Sequence, residues 1–176
     1  MGFWDALFYR DPSRDWPEHQ KTAWVIRPES GLLNREIQLG MPAEELRRLG
    51  KPSNRHPFKR GLFQYPVSGL DVEIEGGKIV GFLFLFGDKD GQPRSHPDLS
   101  LSSSTSSSLR VTPRTTPEEL IRMLGPLDDD DNDNEEYRYL IFRRRTWSVD
   151  VEFRKGAGLE HLIVMLEGDM DPGPTD

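Results

Sequence analysis

The chain of 176 residues carries a formal net charge of −7, from 23 Lys plus Arg against 30 Asp plus Glu, with four His and no Cys. Its length suits one large domain or two small ones, and the lack of Cys excludes disulfides, thiolate zinc sites and Cys nucleophiles. No apolar run reaches the roughly 18 residues that a membrane-spanning helix needs, and no extended basic face supports binding to nucleic acid.

Residues 1–36 form an N-terminal segment. Phe3, Trp4, Leu7 and Phe8 have helical spacing and are expected to fold onto the core, the alternative being an interfacial anchor. No basic region precedes a long apolar stretch, so no secretory signal is read and the expected compartment is the cytoplasm. Trp24-Val-Ile26 reads as a short strand.

Residues 37–87 make a first unit. Pro42-Ala-Glu-Glu-Leu-Arg-Arg-Leu49-Gly50 predicts a short helix with a glycine C-cap in the left-handed conformation. Three strands follow: Leu62 to Tyr65, Leu70 to Glu75, and Ile79 to Phe86 after a Gly77-Lys78 turn. Leu70, Val72 and Ile74 alternate with Asp71, Glu73 and Glu75, the period of a strand with one solvated face. The third strand is apolar on both faces and so requires cover on both.

Residues 88–111, rich in Gly, Pro and Ser and including the tract Ser100 to Ser108, read as a linker with residues 98–109 as its mobile part.

Residues 112–168 repeat the first pattern. In Pro117-Glu-Glu-Leu-Ile-Arg-Met-Leu124-Gly125, the Pro, second Glu, Arg, Leu and Gly coincide with those of the first unit. Thr116 and Glu119 are placed for a capping box. The strands expected here are Tyr137 to Phe142, Trp147 to Phe153 and Leu159 to Leu166. Residues 169–176, acidic and rich in Pro, read as a flexible tail.

The fold class expected is therefore α+β: two units of a helix and a three-stranded antiparallel sheet, helices on one face. In the expected repeat, Leu49 and Leu124 are equivalent and buried.

Gly40-Met-Pro-Ala-Glu-Glu-Leu-Arg-Arg-Leu-Gly-Lys-Pro52, followed by three strands, resembles the repeat of the SmpA/OmlA (BamE-like) group. The tandem arrangement over residues 37–87 and 112–167 is similar to that of the beta-lactamase inhibitor proteins. The resemblance implies helices on one face of an antiparallel sheet, no catalytic residues and a protein-binding role. Those families usually carry a signal peptide and a lipidated Cys; no signal peptide is read at this N-terminus, and the sequence has no Cys.

Catalytic and metal motifs are missing. His19, His56, His96 and His161 have no ligand spacing. The run Asp128 to Glu136, DDDDNDNEE, holds seven acids, equal to the whole net charge. It fails the EF-hand register, with Asp133 where Gly belongs and Tyr139 where the bidentate Glu belongs. No G-x-S-x-G and no phosphate-binding glycine motif occurs. No cofactor, no metal and no enzymatic activity is expected.

Arg143, Arg144 and Arg145, at a hairpin turn, are the candidate binding residues, because guanidinium groups pair with carboxylate or phosphate. The acidic run reads as a loop before the strand Tyr137 to Phe142 and the arginines follow that strand, so about 20 Å separates the two clusters. That exceeds a Debye length of about 8 Å, so one cluster would face a partner or a second copy of the chain. The function expected is a non-catalytic protein-binding module of the inhibitor or immunity kind, with homo-oligomers admitted. The alternative is a binder of a small apolar ligand or lipid, with a pocket under the sheet.

Overall fold

The computed structural model describes residues 11, 13–54, 60–87, 95–103 and 107–167. The expected N-terminal helix of Phe3, Trp4, Leu7 and Phe8, the tail 169–176 and His56 lie outside these residues.

Two sheets share one core. The smaller contains β1 (Trp24–Arg27), β2 (Leu32–Leu33), β3 (Ile37–Gln38), β7 (Leu99–Ser102) and β8 (Ser108–Val111), in the order β3-β2-β1-β7-β8. It is mixed, because β1 runs parallel to β7. The larger contains β4 (Arg60–Tyr65), β5 (Leu70–Glu75), β6 (Lys78–Leu85), β9 (Asp129–Asp131), β10 (Tyr137–Arg143), β11 (Trp147–Arg154) and β12 (Gly158–Leu166), in the order β4-β5-β6-β12-β11-β10-β9. A 3-10 helix, Ala43–Leu49, and an α-helix, α1 (Pro117–Leu124), lie between strands.

This architecture corrects the expected α+β fold. The molecule is mostly β, and two large sheets replace the pair of helix and three-strand repeats. β6 pairs with β12, Leu83 opposite Ile163 and Phe82 opposite Val164, which fuses what were read as separate sheets. The second sheet, not a helical layer, contributes Trp24, Ile26, Leu33, Leu99, Leu101 and Val111 to the common core.

The tandem repeat fails at its helices. Leu49 and Leu124 are only partly buried and sit on different kinds of element. In the 3-10 segment, the three-residue turn aligns Ala43 and Leu46, both fully buried. In α1 the fully buried residue is Leu120, which aligns with Glu45, not with Leu46. The matching Pro, Glu, Arg, Leu and Gly thus conceal different apolar phases. Local chemistry explains the divergence. Thr116 Oγ1 accepts the Glu119 N–H at 3.3 Å while Glu119 Oε2 accepts the Thr116 N–H at 2.8 Å, the reciprocal pair that starts an α-helix. Pro42 has no side chain that could accept such a bond at the other helix. Gly50 (φ +90°, ψ −173°) and Gly125 (φ +91°, ψ −161°) adopt an extended positive-φ conformation that only Gly visits readily, not the expected left-handed cap.

The linker reading is corrected as well. Leu99 and Leu101, inside the supposed linker, are fully buried on β7, and β7 hydrogen-bonds to both β1 and β8. Serines occupy the alternate positions. A four-residue strand needs only two inward side chains, so the Ser content hides a period-two pattern.

The described chain also builds an aromatic node where an N-terminal arm meets the body. The His19 ring lies stacked on Trp24 at 6.1 Å and edge-on to Tyr65 at 4.7 Å. Its Nδ1 lies 2.5 Å from Leu49 O and its Nε2 2.8 Å from Ser68 Oγ. The Trp24 indole donates to Ser68 O at 2.8 Å. At Gly50 a Cβ would come within 2.9 Å of the His19 backbone, so the arm's approach requires glycine there.

Candidate functional site

The larger sheet has one face in the core and one outside it. Phe63, Tyr65, Val72, Phe82, Phe84, Leu140, Phe142, Val149, Leu162 and Val164 face the common core. A β-bulge opposite Glu73 and Ile74 turns Ile79 inward in place of Val80. Leu83, Ile141, Ile163 and Met165 do not join that core and keep part of their surface accessible.

Strand register assembles the open face into rows. One row runs Asp71, Leu83, Ile163, Asp150, Ile141, Asp129 across six strands. The next runs Leu85, His161, Glu152, Tyr139, Asp131. Their overlap over β9 to β12 forms a groove of about 320 Å³, with Ile141, Ile163, Tyr139 and His161 among its lining and Asp129, Asp131, Asp150 and Glu152 supplying carboxyl groups.

Asp150 is the unusual group in this groove. Its Oδ1 is buried and accepts no hydrogen bond. Burial pushes its carboxyl above the ordinary range, with Arg143 and a Ser148 hydrogen bond opposing and Glu167 adding to the rise. His161 Nδ1 lies 3.5 Å from Glu152 Oε2. A carboxylate with a free buried oxygen, between two isoleucines, suits a donor with an apolar stem, such as a Lys or Arg side chain.

The three arginines do not form one clamp. Arg143 ends β10 with its side chain exposed, close enough to Asp150 to affect its charge. Arg144 is occupied internally. Its guanidinium donates to Leu124 O at 2.9 Å, to Pro126 O at 3.3 Å and to Asp128 Oδ2 at 3.1 Å, and lies 5.8 Å from the Trp147 ring centre. It closes the C-terminal end of α1, whose last carbonyls lack helical partners. Arg145 is exposed and lines a separate cleft of about 350 Å³, together with Pro28, Glu29, Met123, Leu124 and Trp147.

The acidic run is not a distant loop. β9 folds back antiparallel to β10, Asp131 opposite Tyr139 and Asp129 opposite Ile141, which brings Asp128 beside Arg143 and Arg144. The expected separation of about 20 Å assumed an unpaired acidic segment. Inside the sheet those acids are partly neutralised: Asp130 forms a two-bond fork with Arg138 at 2.8 and 2.9 Å, and Glu136 lies 3.5 Å from Arg154.

His19 and Ser68 are at nucleophile–base distance, but Ser68 is only 1% exposed and its Oγ also accepts the Thr22 N–H at 3.2 Å, so no substrate reaches it. Among the described residues no group of three or more His, Asp or Glu side chains could hold a metal ion.

Sequence alternation alone predicts that Asp150 and Glu152 face away from the core, and that Ile163 and Met165 oppose Leu162 and Val164. It does not reveal that β6 and β12 are neighbours, which is what gathers Leu83, Ile163 and Asp150.

No protein-family model and no curated protein matches the chain. A solved structure of a DUF4309 family protein (YjgB) from Bacillus subtilis is similar with a TM-score of 0.41 and 11% identity, over 72% of this chain and 78% of that one.

Proposed function

We propose that the chain is a non-catalytic protein-binding module that docks a partner on the open face of its larger sheet. The observation carrying this reading is the pattern on that face: Leu83, Ile163 and Ile141 in one row, with Asp150 interleaved and Asp129 flanking. An apolar stripe bordered by carboxylates matches a partner segment with apolar residues between Lys or Arg. Here the acids supply selectivity and association rate, and the isoleucines supply the buried area.

The alternative, an apolar ligand held beneath the third strands, has less behind it. The space between the sheets is occupied by Trp24, Tyr65, Phe63, Phe82, Phe84 and Phe142, all fully buried.

The test compares the full chain with Ile163→Glu on the open face and Val25→Glu on the exposed side of β1. Intact-complex mass spectrometry after co-purification should find a partner with a basic, apolar contact segment. It should bind wild type and Val25→Glu, fail to bind Ile163→Glu, and weaken at raised salt. A partner bound equally by all three proteins overturns the reading.

A further inference from the structure

The groove over β9 to β12 holds its carboxylates at a spacing set by strand register. Asp150 and Asp129 lie in one row with Ile141 between them. Glu152 and Asp131 lie in the next row, on either side of Tyr139. Neighbouring strands are about 4.8 Å apart and side chains stand nearly perpendicular to a sheet, so about 10 Å separates the Asp150 side of the groove from the Asp129 and Asp131 side. The groove thus has two acidic poles with an isoleucine midway.

Both poles are short of cations. Asp150 Oδ1 is buried and accepts no hydrogen bond. Arg143, in the neighbouring row opposite Ser148, acts on Asp150 through its field, against the field of Glu167. Among the described residues Asp129 and Asp131 have no ion pair, whereas Asp128 and Asp130 beside them are paired with Arg144 and Arg138. Glu152 is the engaged member, 3.5 Å from His161. An ion pair needs N and O within about 4 Å, so a single ammonium cannot serve poles about 10 Å apart. Two ammoniums joined by methylenes can, and their methylenes then cross Ile141.

We propose that this groove binds a linear aliphatic diamine, one ammonium on Asp150 and the other on Asp129 or Asp131, with the methylene chain lying across Ile141. Each ammonium gains charge-assisted bonds, and the stem removes apolar isoleucine surface from water. The carboxylate of Asp150, which lost water without gaining a partner at Oδ1, recovers one from the ligand. A monoamine leaves one pole unpaired, so the spacing selects for two charges on one stem. The inference concerns a small molecule in the groove and stands whether or not a protein docks on the wider face.

The test titrates the full chain with cadaverine, pentylamine and magnesium ion, at neutral pH and one ionic strength, while the methyl resonances of Ile141 and Ile163 are followed. Cadaverine should saturate a single site. Pentylamine has the stem with one charge and magnesium the charge with no stem, so each should bind more weakly by about tenfold, the worth of one charge-assisted bond. Asp150→Asn should weaken cadaverine to the level of pentylamine, and so should the pair Asp129→Asn and Asp131→Asn. Asp150→Asn relieves a buried, unpartnered oxygen and leaves the fold intact. Asp133→Asn, outside the groove, should change nothing. Three outcomes overturn the proposal: no saturable shift with cadaverine, pentylamine or magnesium binding as tightly as cadaverine, or Asp150→Asn binding it as wild type does. Partner capture reads a macromolecule and these titrations a small amine, so either reading can fail without the other.

Discussion

Asp128 Oδ2 accepts the backbone N–H of Arg143 at 2.6 Å, and the same oxygen receives the Arg144 guanidinium at 3.1 Å. One carboxylate thus anchors the β10–β11 turn to the strand that folds back along β10. Through Arg144, which also donates to Leu124 O, the turn is tied to the end of α1. A short acidic sequence that looks like surplus charge has a structural role in a three-way joint.

Replacing Asp128 by Ala should therefore cost about 1–2 kcal/mol, more than an exposed ion pair, because a charge-assisted bond to a backbone donor is lost. Replacing Asp133, which carries no ion pair among the described residues, should change stability by less than about 0.5 kcal/mol. Urea unfolding of the two variants checks the contrast; equal effects would remove the joint.

Asp150 predicts a pH dependence of known sign. Its folded pKa is raised by burial, so the folded state holds the proton more tightly than the unfolded chain does. This group's contribution to stability is intact below the unfolded value of about 3.9 and falls as pH rises through the folded value. Asp150→Asn should then raise the thermal midpoint at neutral pH, and the gain should vanish in acid. A gain of equal size at both ends of the range would refute the assignment to ionisation.

The pair Asp130 and Arg138 carries the opposite sign. The Arg138 hydrogen bond holds the Asp130 carboxyl below its ordinary range. Its stabilisation is present above the unfolded value and is lost as pH falls through the folded one. Both side chains are partly exposed, so the contribution is about 0.2–1 kcal/mol and shrinks with salt. A double-mutant cycle with Asp130→Asn and Arg138→Gln, run in acid and at neutral pH, measures it.

His19 should matter for anchoring the arm. His19→Ala removes two hydrogen bonds and two ring contacts, a loss on the order of 2 kcal/mol. Hydrogen exchange should quicken at Lys51, whose N–H donates to Pro17 O across the same junction. Unchanged exchange at Lys51 would show that the arm is held elsewhere.

Leu101 separates a strand from a linker most directly. Leu101→Ala should cost about 2–5 kcal/mol if it fills the core between β1 and β8, whereas Ser102→Ala should cost less than about 0.5 kcal/mol. The shift in urea midpoint at constant slope is the measurement.

What the amino-acid order determines by itself is local and periodic. Alternation in Leu70 to Glu75 and Trp147 to Phe153 specifies strands with one apolar face, because the side-chain period of a strand is two. The Thr116 and Glu119 pair specifies where α1 starts, because its two bonds close within four residues. The tertiary structure alone decides the rest. The short apolar alternation in Leu99 and Leu101 becomes a strand only when it pairs with β1. A run of aspartates becomes β9 only beside β10. The open face exists because β6 finds β12, residues about eighty positions apart in sequence. Such pairing is set by which apolar faces can be buried together over the whole chain, and a strand's own residues carry its period but not the identity of its neighbour.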